Sequence, residues 1–101
     1  MADDELIAFA KEFRDGILDG NPPWMMCAAV CWPLAGLLRF HGIECECIES
    51  DLGEFNHIWI CLADGRALDP TGDQFNDYGF TPMPPVYLGE PLPMHPTPES
   101  G

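Results

Sequence analysis

Three side chains in this sequence could together carry nucleophilic chemistry: Cys27, His57 and Asp69. A thiolate favoured at a helix N-terminus attacks a carbonyl carbon, a histidine shuttles the proton, and a carboxylate orients the histidine. Such a set works only if the cysteine opens a helix and the other two meet across neighbouring strands. The turn at Ala63-Asp64-Gly65 decides the second condition. If it is a three-residue loop with Gly65 in the left-handed region, Leu62 pairs with Arg66 and His57 falls opposite Thr71. Asp69 is then a diagonal neighbour of His57 on the same face, roughly 7–8 Å away between backbones and within side-chain reach. A two-residue Asp64-Gly65 loop would put the pair on opposite faces.

The elements needed to position these residues can be read from apolar spacing. Leu6, Ile7, Ala10, Phe13 and Ile17 recur every three or four residues, which predicts an amphipathic helix over Asp4 to Leu18, started by Asp3 or Asp4 as a cap. Gly20 and the Pro22-Pro23 pair end it. Trp24 to Phe40 is apolar nearly all round, which predicts a buried central helix closing at His41-Gly42, with Pro33 imposing a kink or a late start. Ile43 to Ile48 alternates with period two. Phe55 to Leu62 is apolar on both faces apart from His57, as a central strand would be. Ala67-Leu68-Asp69 is a third strand, stopped at Pro70-Thr71-Gly72, and Val86-Tyr87-Leu88 a short fourth. The fold class is therefore α+β, two N-terminal helices on an antiparallel sheet of three to four strands, forming a single domain over residues 1–90. Residues 91–101 are Pro-rich and read as an extended tail.

With these elements assigned, the motifs carry a resemblance. Met26-Cys27-Ala28-Ala29 opening a helix, Asn56-His57-Ile58-Trp59 opening a strand, and the run from Asp64 to Phe75 ending in Asp-Gln-Phe resemble a minimal papain-like or transglutaminase-like domain, over about Trp24 to Leu88. The resemblance implies Cys27 as nucleophile, His57 as base and Asp69 as orienter. It also implies Asn21, six positions before the nucleophile, as a side chain that holds the oxyanion. Two features depart from the pattern. Ala28 stands where an aromatic residue commonly follows the nucleophile, and Cys31-Trp32, one helical turn on, is a competing cysteine–aromatic pair.

Composition sets a different expectation. Against 4 Lys and Arg the chain carries 17 Asp and Glu, a net charge of −13. That excludes direct binding to phosphate backbones and docking on anionic membranes, both of which need a basic face. The acidic N-terminus is unlike a secretory signal, and five cysteines without a disulfide rhythm suit a reducing cytosol, so the expected location is cytoplasmic. No cofactor is expected. Cys31, Cys45, Cys47, Cys61 and His41 lack the paired spacing of a zinc site, so no metal is expected either. The Trp residues and the Met residues read as core.

The carboxylates crowd the sheet end of the domain: Glu44, Glu46, Glu49, Asp51 and Glu54, then Asp64, Asp73 and Asp77. Glu44 and Glu46 share a strand face about 6.6 Å apart, commensurate with two steps of the roughly 3.4 Å phosphate rise along one DNA strand. In size and acidity, though in no motif, the chain resembles phage-encoded inhibitors of bacterial defence, including anti-CRISPR proteins that act as DNA mimics. Two functions are therefore expected in competition. The first is an inhibitor whose acidic surface imitates nucleic acid and occupies the basic groove of a nucleic-acid-binding complex, such as a CRISPR surveillance complex, on a papain-like scaffold. The alternative is a cysteine hydrolase or acyl transferase using Cys27, His57 and Asp69.

Overall fold

A computed structural model describes residues 2–20, 26–51, 56–75, 83–92 and 95. Two helices, α1 (Asp3–Leu18) and α2 (Cys27–Phe40), precede an antiparallel sheet of β1 (Cys45–Asp51), β2 (Asn56–Leu62), β3 (Ala67–Asp69) and β4 (Tyr87–Gly89). A 3₁₀ turn, η1 (Gly72–Phe75), lies between β3 and β4. The strands lie in the order β1-β2-β3-β4, so β2 is interior as its apolar run predicts. The class is α+β.

Side-chain alternation gives the sheet two different faces. Ile58, Ile60 and Leu62 of β2 and Leu68 of β3 meet Leu6 and Ala10 of α1 and Cys31, Leu34, Ala35 and Leu38 of α2 in one apolar cluster. His57 and Trp59 of β2 and Asp69 of β3 occupy the alternate positions, and all three are fully buried. Trp59 satisfies its indole N–H by donating to Ser50 Oγ at 2.9 Å, the pairing a buried indole requires.

The hairpin between β2 and β3 takes the three-residue form. Leu62 N–H donates to Arg66 O, and Gly65 lies at φ +89°, the left-handed region that glycine enters without a Cβ penalty. The ladder Ile60↔Leu68 and Cys61↔Ala67 follows from that turn. The alternative two-residue loop, which would separate His57 from Asp69, is not formed.

Helix boundaries differ from the sequence-based expectation in informative ways. Asp3 already lies inside α1, so neither it nor Asp4 is the cap; Ala2 N–H donates to Glu5 Oε1 at 3.3 Å, and the three first-turn acids face the positive end of the helix dipole. Helix α2 starts at Cys27 and runs on through Pro33. It is not buried all round: Ala28, Ala29, Trp32, Pro33, Gly36, Leu37 and Phe40 are exposed, Trp32 at 56% and Phe40 at 85%. Trp32 is therefore surface rather than core. Strand β1 is displaced towards the C-terminus from Ile43–Ile48, because pairing with β2 continues through Ser50↔His57 and Asp51↔Asn56. No helix among the described residues is long and apolar enough to cross a membrane.

Candidate active site

Cys27 is the first residue of α2, and Met26 before it offers no side-chain cap. The first-turn amides of a helix have no intrahelical acceptor, and the Ala28 amide hydrogen-bonds the Cys27 sulfur. Cys27 also lies beside the Ile58 amide and the His57 ring, which both hydrogen-bond its sulfur. The adjacent Ile58 carbonyl accepts from Cys31 Sγ at 3.3 Å. Two cysteines one helical turn apart thus occupy the backbone of Ile58, where the β2–β3 ladder has ended. At this break in the ladder a helix residue reaches a histidine that alternation places on the other face of the sheet.

His57 Nε2 lies 2.6 Å from Asp69 Oδ2, with both side chains shielded from solvent. The same imidazole also hydrogen-bonds the Cys27 sulfur, so one ring joins the thiol to the carboxylate. Asp69 is fixed in turn: Thr71 N–H donates to its Oδ1 at 3.1 Å, and His95 Nε2 lies 2.7 Å from the same Oδ2 that His57 uses. Gly72 lies against this carboxylate so closely that a Cβ there would stand 2.9 Å from Oδ2, which explains why the position carries no side chain.

The electrostatics follow from this chain of bonds. Burial alone would disfavour the His57 imidazolium, but the hydrogen bonds to Asp69 and Cys27 outweigh it and raise the pKa from 6.5 to about 9. Burial would likewise raise Asp69, yet the bonds from His57 and His95 bring it down to about 2. For Cys27 burial pushes the thiol up, while His57 and the Ile58 amide overcome it and leave the pKa below its ordinary value. The neighbouring Cys31 is the reverse case. It is fully buried and its pKa stands well above the ordinary thiol value, first through burial and then through the Asp69 charge. That removes Cys31 as a competing nucleophile.

Of the residues singled out from sequence, Cys27, His57 and Asp69 are brought together. Asn21 lies outside the described residues, so the oxyanion donors on view are the first-turn amides of α2. His95 is the residue sequence reasoning missed. It lies in the stretch read as an unpacked tail, yet it is 2% exposed, and its ring packs 4.9 Å from Trp59 and 5.8 Å from Tyr87. Its single sequence signal is a histidine amid prolines, which carries no information about a partner 26 residues away.

His57, Asp69 and His95 also place three potential ligand atoms within 4.8 Å of one another. Each imidazole Nε2 already points at Asp69 Oδ2, so a metal ion would have to replace two short hydrogen bonds. The thiols considered for zinc do not converge: Cys45, Cys47 and Cys61 donate instead to the carbonyls of Ala35, Cys31 and Leu62.

The acidic residues fall into two groups. Glu44, Glu46, Glu49, Asp51 and Asp64 are exposed, whereas Asp73 is half-buried. Asp73 bonds Arg14 at 2.8 Å and Asp64 bonds Arg66 at 2.8 Å, so both carboxylates are engaged within the chain. Glu44 and Glu46 share strand parity, but Glu49 and Asp51 alternate to the other face of β1. Glu54 and Asp77 lie outside the described residues. A surface depression of about 550 Å³ is lined by Arg39, Glu44, Cys45 and Glu46 near the β2–β3 hairpin, at the end of β2 remote from His57.

Compared with known proteins, the chain matches no protein-family model, no curated protein and no solved structure.

Proposed function

We propose that the protein is a cysteine hydrolase or acyl transferase acting on an amide or thioester. The observation that carries this reading is the continuous hydrogen-bonded chain from Cys27 through His57 to Asp69, with its 2.6 Å inner bond shielded from water. The resemblance of the surrounding motifs to papain-like and transglutaminase-like enzymes supports the same reading. Cys27 thiolate attacks the carbonyl carbon, and the first-turn amides of α2 face the developing oxyanion. The C–N or C–S bond then breaks as His57 delivers its proton to the departing amine or thiolate. Water or an acceptor amine next attacks the acyl-thioester, giving its proton to His57 as Cys27 leaves. Asp69 keeps His57 oriented and balances its charge throughout.

Alkylation by iodoacetamide at pH 7, followed residue by residue through peptide mapping, tests the reading. Cys27 should react at least tenfold faster than the part-buried Cys45, Cys47 and Cys61, the margin expected where a helix N-terminus and a histidine favour the thiolate. His57→Ala should remove the advantage. Equal labelling of all four thiols in the wild-type protein would end the hydrolase reading.

A second reading has its own observation: β1 is an edge strand with Glu46, Glu49 and Asp51 exposed along it and Glu44 exposed just before it. Such a surface suits the basic groove of a nucleic-acid-binding complex, the inhibitor role drawn from charge. It ranks second because the internal engagement of Asp64 and Asp73 and the division of the β1 acids between two faces shrink the phosphate-like array. On this reading the triple change Glu44→Lys, Glu46→Lys and Glu49→Lys abolishes salt-sensitive binding to a purified CRISPR surveillance complex, and Cys27→Ala leaves it intact. Undiminished binding by the triple variant would dispose of the idea.

A further inference from the structure

We propose that His95 is a positioning residue of the Cys27 site, holding the Asp69 carboxylate in the orientation that presents His57 to the thiol. The inference rests on the hydrolase reading and extends it to a fourth member that acts through Asp69.

Three observations converge. First, Asp69 Oδ2 is shared: His57 Nε2 stands 2.6 Å from it and His95 Nε2 2.7 Å from it. With Thr71 N–H on Oδ1, the carboxylate has donors on both oxygens, which leaves it little freedom to rotate. Second, the tautomer of His95 is set by its own turn. Leu92 N–H donates to His95 Nδ1 at 3.0 Å, while His95 N–H donates back to Leu92 O at 2.8 Å. An Nδ1 that accepts leaves the ring proton on Nε2, where it can only be given to Asp69. Third, the ring packs against Trp59 at 4.9 Å and Tyr87 at 5.8 Å between centroids, so its donor is aimed by packing as well as by hydrogen bonding.

The consequence for the reaction is specific. A neutral N–H donor stabilises the ionised carboxylate and competes with none of its charge. Without it, Oδ2 would keep a vacant lone-pair direction in a site closed to water, and Asp69 would be free to turn away from His57. Among the described residues, the titratable groups around Asp69 are His57 on β2, Cys31 on α2, Asp73 on η1 and Tyr87 on β4, with Cys27 of α2 beyond His57. Among these His57 alone shares the Oδ2 contact, so the effect of losing His95 should pass to Cys27 through that imidazole.

Comparing His95→Leu with His95→Gln separates a donor from a filler, since both side chains occupy similar volume and the glutamine amide N–H takes the place of Nε2–H. The measurement is iodoacetamide alkylation of Cys27 against pH. His95→Leu should slow the reaction at pH 7 about tenfold, the scale of one hydrogen bond to a charged group. Its acid limb should move to higher pH, because a carboxylate with one donor fewer is easier to protonate. His95→Gln should stay within about threefold of wild type. A folded His95→Leu protein with the wild-type profile would overturn the proposal, as would equal losses in both variants, which would mark a packing role. If His95→Leu fails to fold, nitrogen NMR of the ¹⁵N-histidine-labelled wild-type protein decides. An Nε2–H tautomer at His95 supports the proposal, and an Nδ1–H or averaged tautomer overturns it. A wild-type Cys27 no faster than the other thiols would defeat the hydrolase reading alone, leaving the NMR result to decide the contact.

Discussion

Replacing Asp69 with Ala should cost the protein about 3–5 kcal/mol of folding free energy, the usual penalty for removing one partner of a buried charged pair. The carboxylate is completely buried and receives His57 Nε2, His95 Nε2 and Thr71 N–H. Its loss leaves three donors facing a cavity that no apolar group can satisfy, and a buried histidine without its counter-charge. Set against the roughly 5–15 kcal/mol that holds a domain folded, this is a large fraction. Asp69→Asn should be milder, because one amide oxygen still accepts. It should nevertheless slow Cys27 alkylation as much as the alanine does, since the charge that sustains the imidazolium is gone. Urea unfolding of the two variants against wild type measures the difference. A loss below about 1 kcal/mol for Asp69→Ala would mean that the network contributes little to the fold.

The second large effect is a dependence of stability on pH that is opposite at the two ends of the scale. His57 has its folded pKa raised from 6.5 to about 9. Its contribution is fully present below pH 6.5 and is lost as pH rises through about 9. Asp69 is lowered from 3.8 to about 2, so its contribution is present above pH 3.8 and lost as pH falls through about 2. Both shifts record the same interaction and are not summed. Cys27, lowered, works against His57 above neutrality: its contribution is present above the ordinary thiol value of 9.0 and lost on acidification. The clean measurement is therefore on Cys27→Ala, where Asp69 still holds the imidazolium. Its unfolding free energy should fall by roughly 2–3 kcal/mol between pH 6 and pH 9.5, with a shallower fall in the wild type. A flat profile in Cys27→Ala would show that His57 is neutral beside Asp69.

Much of the site was legible because one turn sets it. Gly65 as the third residue of a loop fixes the β2–β3 register, and the register puts His57 and Asp69 on one face two positions apart. Cys27 was legible from the helix it opens. Two of the misreadings have a common cause, which is that composition does not say what covers a surface. The apolar run of α2 suggested burial on all sides, yet α1 and the sheet cover only part of it, and Trp32 and Phe40 stay outside. The proline-rich stretch suggested a loose tail, yet His95 from it is among the most buried side chains. Neither outcome follows from periodicity, because each depends on tertiary contacts between segments distant in sequence. Asp73 belongs with them: Arg14, a long way off on α1, makes it part of the structure rather than of an acidic surface.

All four basic side chains of the chain are engaged internally. Lys11 bonds Asp15, Arg14 bonds Asp73, Arg39 donates to Cys45 O, and Arg66 bonds Asp3 and Asp64. Three of the four thus have a carboxylate of the same chain as partner, and with 17 Asp and Glu against 4 Lys and Arg the net field around the protein is negative. Diffusing molecules are sorted by that field before any of them touches Cys27. Cationic partners arrive faster than neutral ones and anionic ones more slowly, with a contrast that fades as salt shortens the screening length. Selection by charge at the stage of encounter is thus built into a domain whose Cys27 is half-buried, while the His57–Asp69 bond behind it is closed to water.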